Sequence, residues 1–185
     1  MSLDGTDIVV LDTETTGLSP QVGDRILEIA AIRVKDGKEI AVFDRLINPE
    51  RECGVGAYNV HGISMDDVKN APKFAEVIDE LNELWDGAEY LVAHNAKFDH
   101  GFLEHEFKIA DKEFIPPKLF CTMEFSRELF PNAASHSLDN ICKKFGIKSK
   151  DSTERHRALE DVRFTIKALD KMSEMNPNKL RPSLF

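Results

Sequence analysis

The sequence predicts an α/β fold, a mixed sheet flanked by helices in the order βββαβα with further helices added. Three observations predict it. Ile8, Val9, Val10 and Leu11 form an apolar run without polar interruption, the pattern of a strand covered on both faces at the centre of a sheet. Two β-rich runs, 25–34 and 39–47, are joined by Lys35-Asp36-Gly37-Lys38, and Asp-Gly is a two-residue hairpin signal, so the chain opens as an antiparallel meander. Helical and strand patterns then alternate to the end.

Each later element has its own signal. Thr16-Gly17-Leu18-Ser19-Pro20 supplies the turn chemistry that ends the first strand. Pro72 precedes Phe74, Val77, Ile78, Leu81 and Leu84, whose spacings of three and four mark an amphipathic helix that stops at Asp86-Gly87. Tyr90 to Ala93 reads as a short strand. Phe98, Phe102, Leu103 and Phe107 carry helical spacing again, and further helices are expected over 138–145 and from about Arg157 to Met172. No internal repeat, low-complexity segment or Pro/Gly-rich linker divides the chain.

A chain of 185 residues with 42% apolar content buries one substantial core. The expectation is a single domain over 7–175, with 1–6 as an N-terminal extension and 176–185 as a tail. No apolar run reaches bilayer length and the N-terminus lacks the basic and apolar stretches of a secretory signal, so no membrane partner and a cytoplasmic location are expected. Cys53, Cys121 and Cys142 are odd in number and far apart, which speaks against a disulfide framework or a structural zinc and for free thiols in a reducing compartment. The formal charge of −9 opposes simple polyanion binding. An acidic chain still holds phosphodiesters if its carboxylates bind divalent cations that supply the missing positive charge.

The carboxylates are placed for that work. Asp12 and Glu14 end the first strand two residues apart, so the pleat aims both to one side as a pair of hard oxygen ligands; the other reading is two solvated acids capping the turn. Asp99, in Asn95-Ala96-Lys97-Phe98-Asp99, falls in the first turn of a helix, where an acid is also at home for electrostatic reasons alone. Asn95 is a natural cap for that helix, and His94 a natural strand-end residue. His156 and Asp161 would lie about 140° apart on one continuous helix and share no face. With His156 in the loop before the helix, its ring is free to reach the site into which Asp161 points, and a histidine of near-neutral pKa suits a general base. Otherwise His156 is one more exposed residue in Glu154-Arg155-His156-Arg157.

Asp-Thr-Glu-Thr-Thr-Gly at 12–17, His-Asn-Ala-Lys-Phe-Asp at 94–99 and His-x-x-x-x-Asp at 156–161 together resemble the three motifs of the DEDDh exonucleases, in order and across nearly the whole chain. Thr-Thr-Gly-Leu and Asn59-Val60-His61-Gly62-Ile63 are most similar to the epsilon proofreading subunit and the matching exonuclease domain of bacterial replicative DNA polymerase III. The resemblance implies a ribonuclease H-like fold and a 3′→5′ exonuclease that releases nucleoside 5′-monophosphates. It implies two Mg2+ or Mn2+ ions held by Asp12, Glu14, Asp99 and Asp161, with Asp12 bridging and Asp99 acting through water, and His156 as the general base. It also implies a terminal-nucleotide pocket of Thr15, Val60, His61, His94 and Phe98, with Thr15 meeting the 3′-hydroxyl. The substrate would be a single-stranded or frayed 3′ end of DNA, with an RNA-trimming relative and a non-catalytic scaffold as alternatives. A DNA polymerase is an implied partner. Ser183-Leu184-Phe185 resembles the close of sliding-clamp-binding peptides, without their leading glutamine.

Overall fold

The computed structural model describes residues 3–148 and 157–180. Five strands form one mixed sheet in the order β3-β2-β1-β4-β5. The strands are β1 (Asp7–Thr15), β2 (Ile26–Lys35), β3 (Lys38–Leu46), β4 (Tyr90–Ala93) and β5 (Lys118–Cys121). The first three are antiparallel, while β4 runs parallel to β1 and β5 parallel to β4. At the predicted hairpin both Asp36 (φ 51°) and Gly37 (φ 72°) adopt left-handed backbone, as a tight turn matched to strand twist requires.

The helices are α1 (Val55–His61), α2 (Met65–Val68), α3 (Phe74–Trp85), α4 (Ala96–Ile109), α5 (Thr122–Leu129), α6 (Leu138–Lys144) and α7 (Ala158–Met175). The apolar run of β1 is buried on both sides, as its sequence predicts. Val9 and Leu11 join the layer under α3 and α4, with Phe74, Leu81, Phe102 and Phe107. Ile8 and Val10 join the opposite layer, with Phe125 of α5, Ile141 of α6 and Val162, Leu169 and Met172 of α7. Leu3, in the expected N-terminal extension, and Leu180, in the expected tail, are both buried in this second layer. Among the described residues no helix is long and apolar enough to cross a membrane.

Several elements, the short α2 among them, depart from the sequence expectation. The fifth strand, β5, follows Pro116-Pro117 and is half-exposed at the sheet edge, so it carries no strong apolar run. Helix α1 has an exposed side through most of its length and therefore no apolar period to read. Helix α5 begins at Thr122, directly after β5, without a side-chain cap. The first strand runs to Thr15, with Asp12 and Glu14 near its end.

One buried ion pair fixes the start of β2 to the layer beneath it. Glu106 of α4 accepts from Arg25 Nε (2.8 Å) and Nη2 (2.7 Å) and from the Ile26 backbone N–H (3.1 Å), and is 1% exposed. Removing one member leaves the other charge uncompensated in the interior. Glu106→Ala is expected to lower the free energy of unfolding by roughly 3–5 kcal/mol, read as a shift of the urea midpoint at constant slope.

Candidate active site

Two helices on opposite faces of the sheet each bring a carboxylate to the end of β1. Asp99 is in the first turn of α4 and Asp161 in the first turn of α7, positions where the helix N-terminus favours negative charge. Even-numbered residues of β1 face α7, which places Asp12 and Glu14 on its side; Asp12, Glu14 and Asp161 can each offer an oxygen within 4.8 Å of the others. Odd-numbered residues face α4, and there the Thr13 hydroxyl donates to Asp99 Oδ1 at 2.8 Å. Asp12, Thr13, Glu14, Asp99 and Asp161 all line one open cleft of about 200 Å³. The cleft opens beside the carboxyl ends of β1 and β4, where the chain has turned from one side of the sheet to the other, the usual place for a ligand in such a fold.

The cluster strains against its own charge. Burial, followed by the neighbouring Asp99, Asp161 and Glu14, holds the Asp12 carboxyl well above its ordinary range. Burial and Asp161 push Glu14 up to about 8 from 4.5. Burial also raises Asp99 to about 7, although its hydrogen bond from Thr13 works the other way. The described lining of the cleft contains neither Lys nor Arg to offset this. Hard carboxylate oxygens, close together and short of counter-charge, form a donor set that suits Mg2+ or Mn2+.

The expected nucleotide pocket is only partly assembled in the cleft. Val60, 55% exposed on α1, lines it with His94 and Phe98. His94 Nε2 lies 2.9 Å from the His136 carbonyl oxygen, which can only accept, so Nε2 carries the proton and Nδ1 accepts from the Thr122 hydroxyl at 2.9 Å. Burial lowers the His94 pKa and favours this neutral form. With both nitrogens engaged, His94 offers its ring as a wall and no free polar edge. Asn95 next to it has φ 74° and caps α4 without a side-chain hydrogen bond; this left-handed residue sets the sharp turn from β4 into α4.

Thr15 and His61 lie outside the lining. Thr15 is buried and its hydroxyl donates to the Gly17 carbonyl at 2.6 Å. His61 is buried, its Nδ1 accepts from the Ile63 N–H at 3.0 Å, and burial lowers its pKa against a hydrogen bond with the Thr15 main chain. Together they brace the turn after β1 against α1. A Cβ at Gly17 would come within 2.2 Å of the Asp24 carboxylate, so a larger residue there must displace that side chain from the turn. His156 lies outside the described residues. Thr13 is the site residue that the sequence did not disclose, since a threonine between two acids reads only as strand propensity.

The mixed five-strand sheet with flanking helices is a ribonuclease H-like fold, and its carboxylate cluster is a donor set for divalent metal. Residues 9–169 match the exonuclease family. The chain is 41% identical over 165 residues to the PolC-type DNA polymerase III of Bacillus subtilis (strain 168), covering 89% of this chain and 11% of that protein. It is 42% identical over 168 residues to a DNA polymerase III subunit epsilon-like protein of Rhodobacter capsulatus, covering 90% of this chain and 23% of that one. The chain thus spans less than a quarter of either relative. Among solved structures, exonuclease X in complex with 5′ overhanging duplex DNA aligns at a TM-score of 0.73 and 29% identity, covering 91% of this chain and 92% of that one. The chain belongs to the exonuclease family.

Two outcomes test the geometry. Because Glu14 is raised from 4.5 to about 8, the metal-free fold holds a proton that the unfolded chain releases, so its stability falls as pH rises through that window. The gain in melting temperature on adding Mg2+ to EDTA-treated protein is therefore expected to be larger at the alkaline end of that window than at the acid end; equal gains would contradict the repulsion. Thr13→Val keeps the shape and removes the donor to Asp99, and about 10- to 100-fold weaker metal binding by calorimetry is expected.

Proposed function

We propose that this chain is a two-metal 3′→5′ exonuclease acting on DNA ends, in proofreading or repair. The observation that carries the reading is the convergence of Asp12, Glu14 and Asp161 within 4.8 Å, with Asp99 held beside them by Thr13. Asp12, Glu14 and Asp161 would hold the ions, with Asp99 beside them. When bound, two such ions polarise the scissile phosphate and lower the pKa of a bound water. His156 takes the proton of the attacking water as general base. Val60, His94 and Phe98 pack against the terminal nucleoside without reading base edges, which suits a sequence-independent enzyme. Thr15 and His61, buried outside the cleft lining, would support this pocket through the turn after β1. The product is a nucleoside 5′-monophosphate.

DNA is favoured over RNA because the polymerase relatives are DNA polymerases and the exonuclease X structure holds a DNA duplex with a 5′ overhang, which presents a recessed 3′ end. By the same relatives we infer a DNA polymerase as partner. A clamp contact through Ser183, Leu184 and Phe185 falls outside the described residues and gains no support here. An intact acid set speaks against a non-catalytic scaffold.

Single-stranded DNA and RNA of one sequence, 5′-labelled and followed with Mg2+, test the proposal. Shortening from the 3′ end with preference for DNA is expected. His156→Ala is expected to slow it by about 10²- to 10⁴-fold and Asp12→Ala by at least as much. Preference for RNA would reassign the substrate, and no cleavage by the unmutated protein with either Mg2+ or Mn2+ would overturn the catalytic reading.

A further inference from the structure

The acidic chain has one basic region, and it lies beside the site. Residues 143–167 hold eight Lys and Arg against four Asp and Glu, in a chain whose net charge is −9. In the fold, part of this region lines a groove of about 460 Å³ between β3 and α7, with Lys148, Arg157, Arg163, Phe164 and Lys167 on its walls. Such a volume lies within the ~300–1,000 Å³ typical of ligand sites. Glu28 forms part of the lining, and Arg157 neutralises it through Nε (2.8 Å) and Nη2 (2.5 Å). Asp44 and Glu160 also border the groove.

Lys148, Arg163 and Lys167 make no ion pair with another described residue, unlike the helix-surface lysines Lys69 and Lys171, which pair with Asp66 and Glu174. Phe164 is half-buried between them, with Lys167 Nζ 5.7 Å from its ring centre. Unpaired cations around an aromatic ring are the ingredients of a single-strand path: charges for phosphates and a face for a base. The groove also adjoins the catalytic cleft at two points. Glu28 pairs in register with Glu14 across β1 and β2, and Glu160 of the groove is adjacent in sequence to Asp161 of the cleft.

We infer that this groove binds the phosphodiester backbone of the substrate strand upstream of its 3′ end, through Lys148, Arg163 and Lys167, with Phe164 as a stacking surface. The inference rests on the exonuclease reading and deepens it. The cleft is rich in acids and repels a polyanion except where metal sits, so retention of a long strand falls to cations outside it. Arg157, already committed to Glu28, holds the groove's shape more than it holds the strand.

The test compares the unmutated protein with Arg163→Glu/Lys167→Glu and with Lys108→Glu/Lys112→Glu, which makes the same charge change at the far end of α4. Binding of oligothymidylates from about 2 to about 20 nucleotides is measured by fluorescence anisotropy in EDTA as a function of salt. Hydrolysis of the same strands and of thymidine 5′-p-nitrophenyl phosphate is followed with Mg2+. The groove variant is expected to weaken long-strand binding by about 10-fold or more, and to reduce the slope of log affinity against log salt by about 1.4 for two lost phosphate contacts. Its penalty is expected to shrink toward the shortest substrates, and the α4 variant is expected to match the unmutated protein. An unchanged salt slope and length dependence in the groove variant would overturn the inference. Failure of the unmutated protein to hydrolyse even the mononucleotide ester would instead count against the exonuclease reading, and the anisotropy arm still decides the groove.

Discussion

Everything near the cleft depends on one arrangement: four carboxylates brought to the end of a buried strand from three directions. Left alone, such a group resists ionisation: burial first and then neighbouring carboxylates raise the proton affinity of Asp12 and Glu14, and burial raises that of Asp99. The fold sustains it because the constraint is spread over many contacts. Strand β1 is buried on both sides and hydrogen-bonded to β2 and β4, while α4 and α7 are anchored by apolar stripes in opposite layers. The core therefore does more than stabilise the chain: it holds ligands in a geometry that they would otherwise relax away from, ready for a cation.

Much of this was legible in the sequence, because the relevant signals are local. The apolar run of Ile8 to Leu11, the Asp36-Gly37 turn and the periodic residues of α3 each specify their own structure with little help from elsewhere. The acids are legible for the same reason, since each sits at a junction that the chain announces: the end of a strand, or the first turn of a helix. What was missed depends on tertiary contacts. Strand β5 exists because β4 offers it an edge, and α1 because Gly54 N–H is tied to the Thr16 carbonyl oxygen at 2.9 Å beside the turn after β1. Thr15 and His61, expected in the nucleotide pocket, are buried outside the cleft lining, with the Thr15 hydroxyl on the Gly17 carbonyl oxygen. The hydrogen bond from Thr13 to Asp99 joins residues 86 apart in sequence, a span over which no local pattern speaks.

The net charge of the chain also needs to be read in three dimensions. A total of −9 describes a molecule that nucleic acid should avoid. Yet the negative charge is gathered at the cleft, in a donor set that suits a divalent cation, and cations of the region around α6 and α7 line the groove beside it. A polyanion meeting this surface encounters a local pattern of sign, screened over about 8–10 Å at physiological salt, and hardly feels the sum.

Leu3 and Leu180 end the described chain in the same apolar layer. Strand β1 climbs from Asp7 toward the cleft, and α7 descends from Asp161 to Met175, so the described chain enters and leaves on the side away from the opening. A unit attached at its base can be spliced into a larger polypeptide, as insertion of domains with neighbouring termini generally permits, without either connection crossing the path of a nucleic-acid strand.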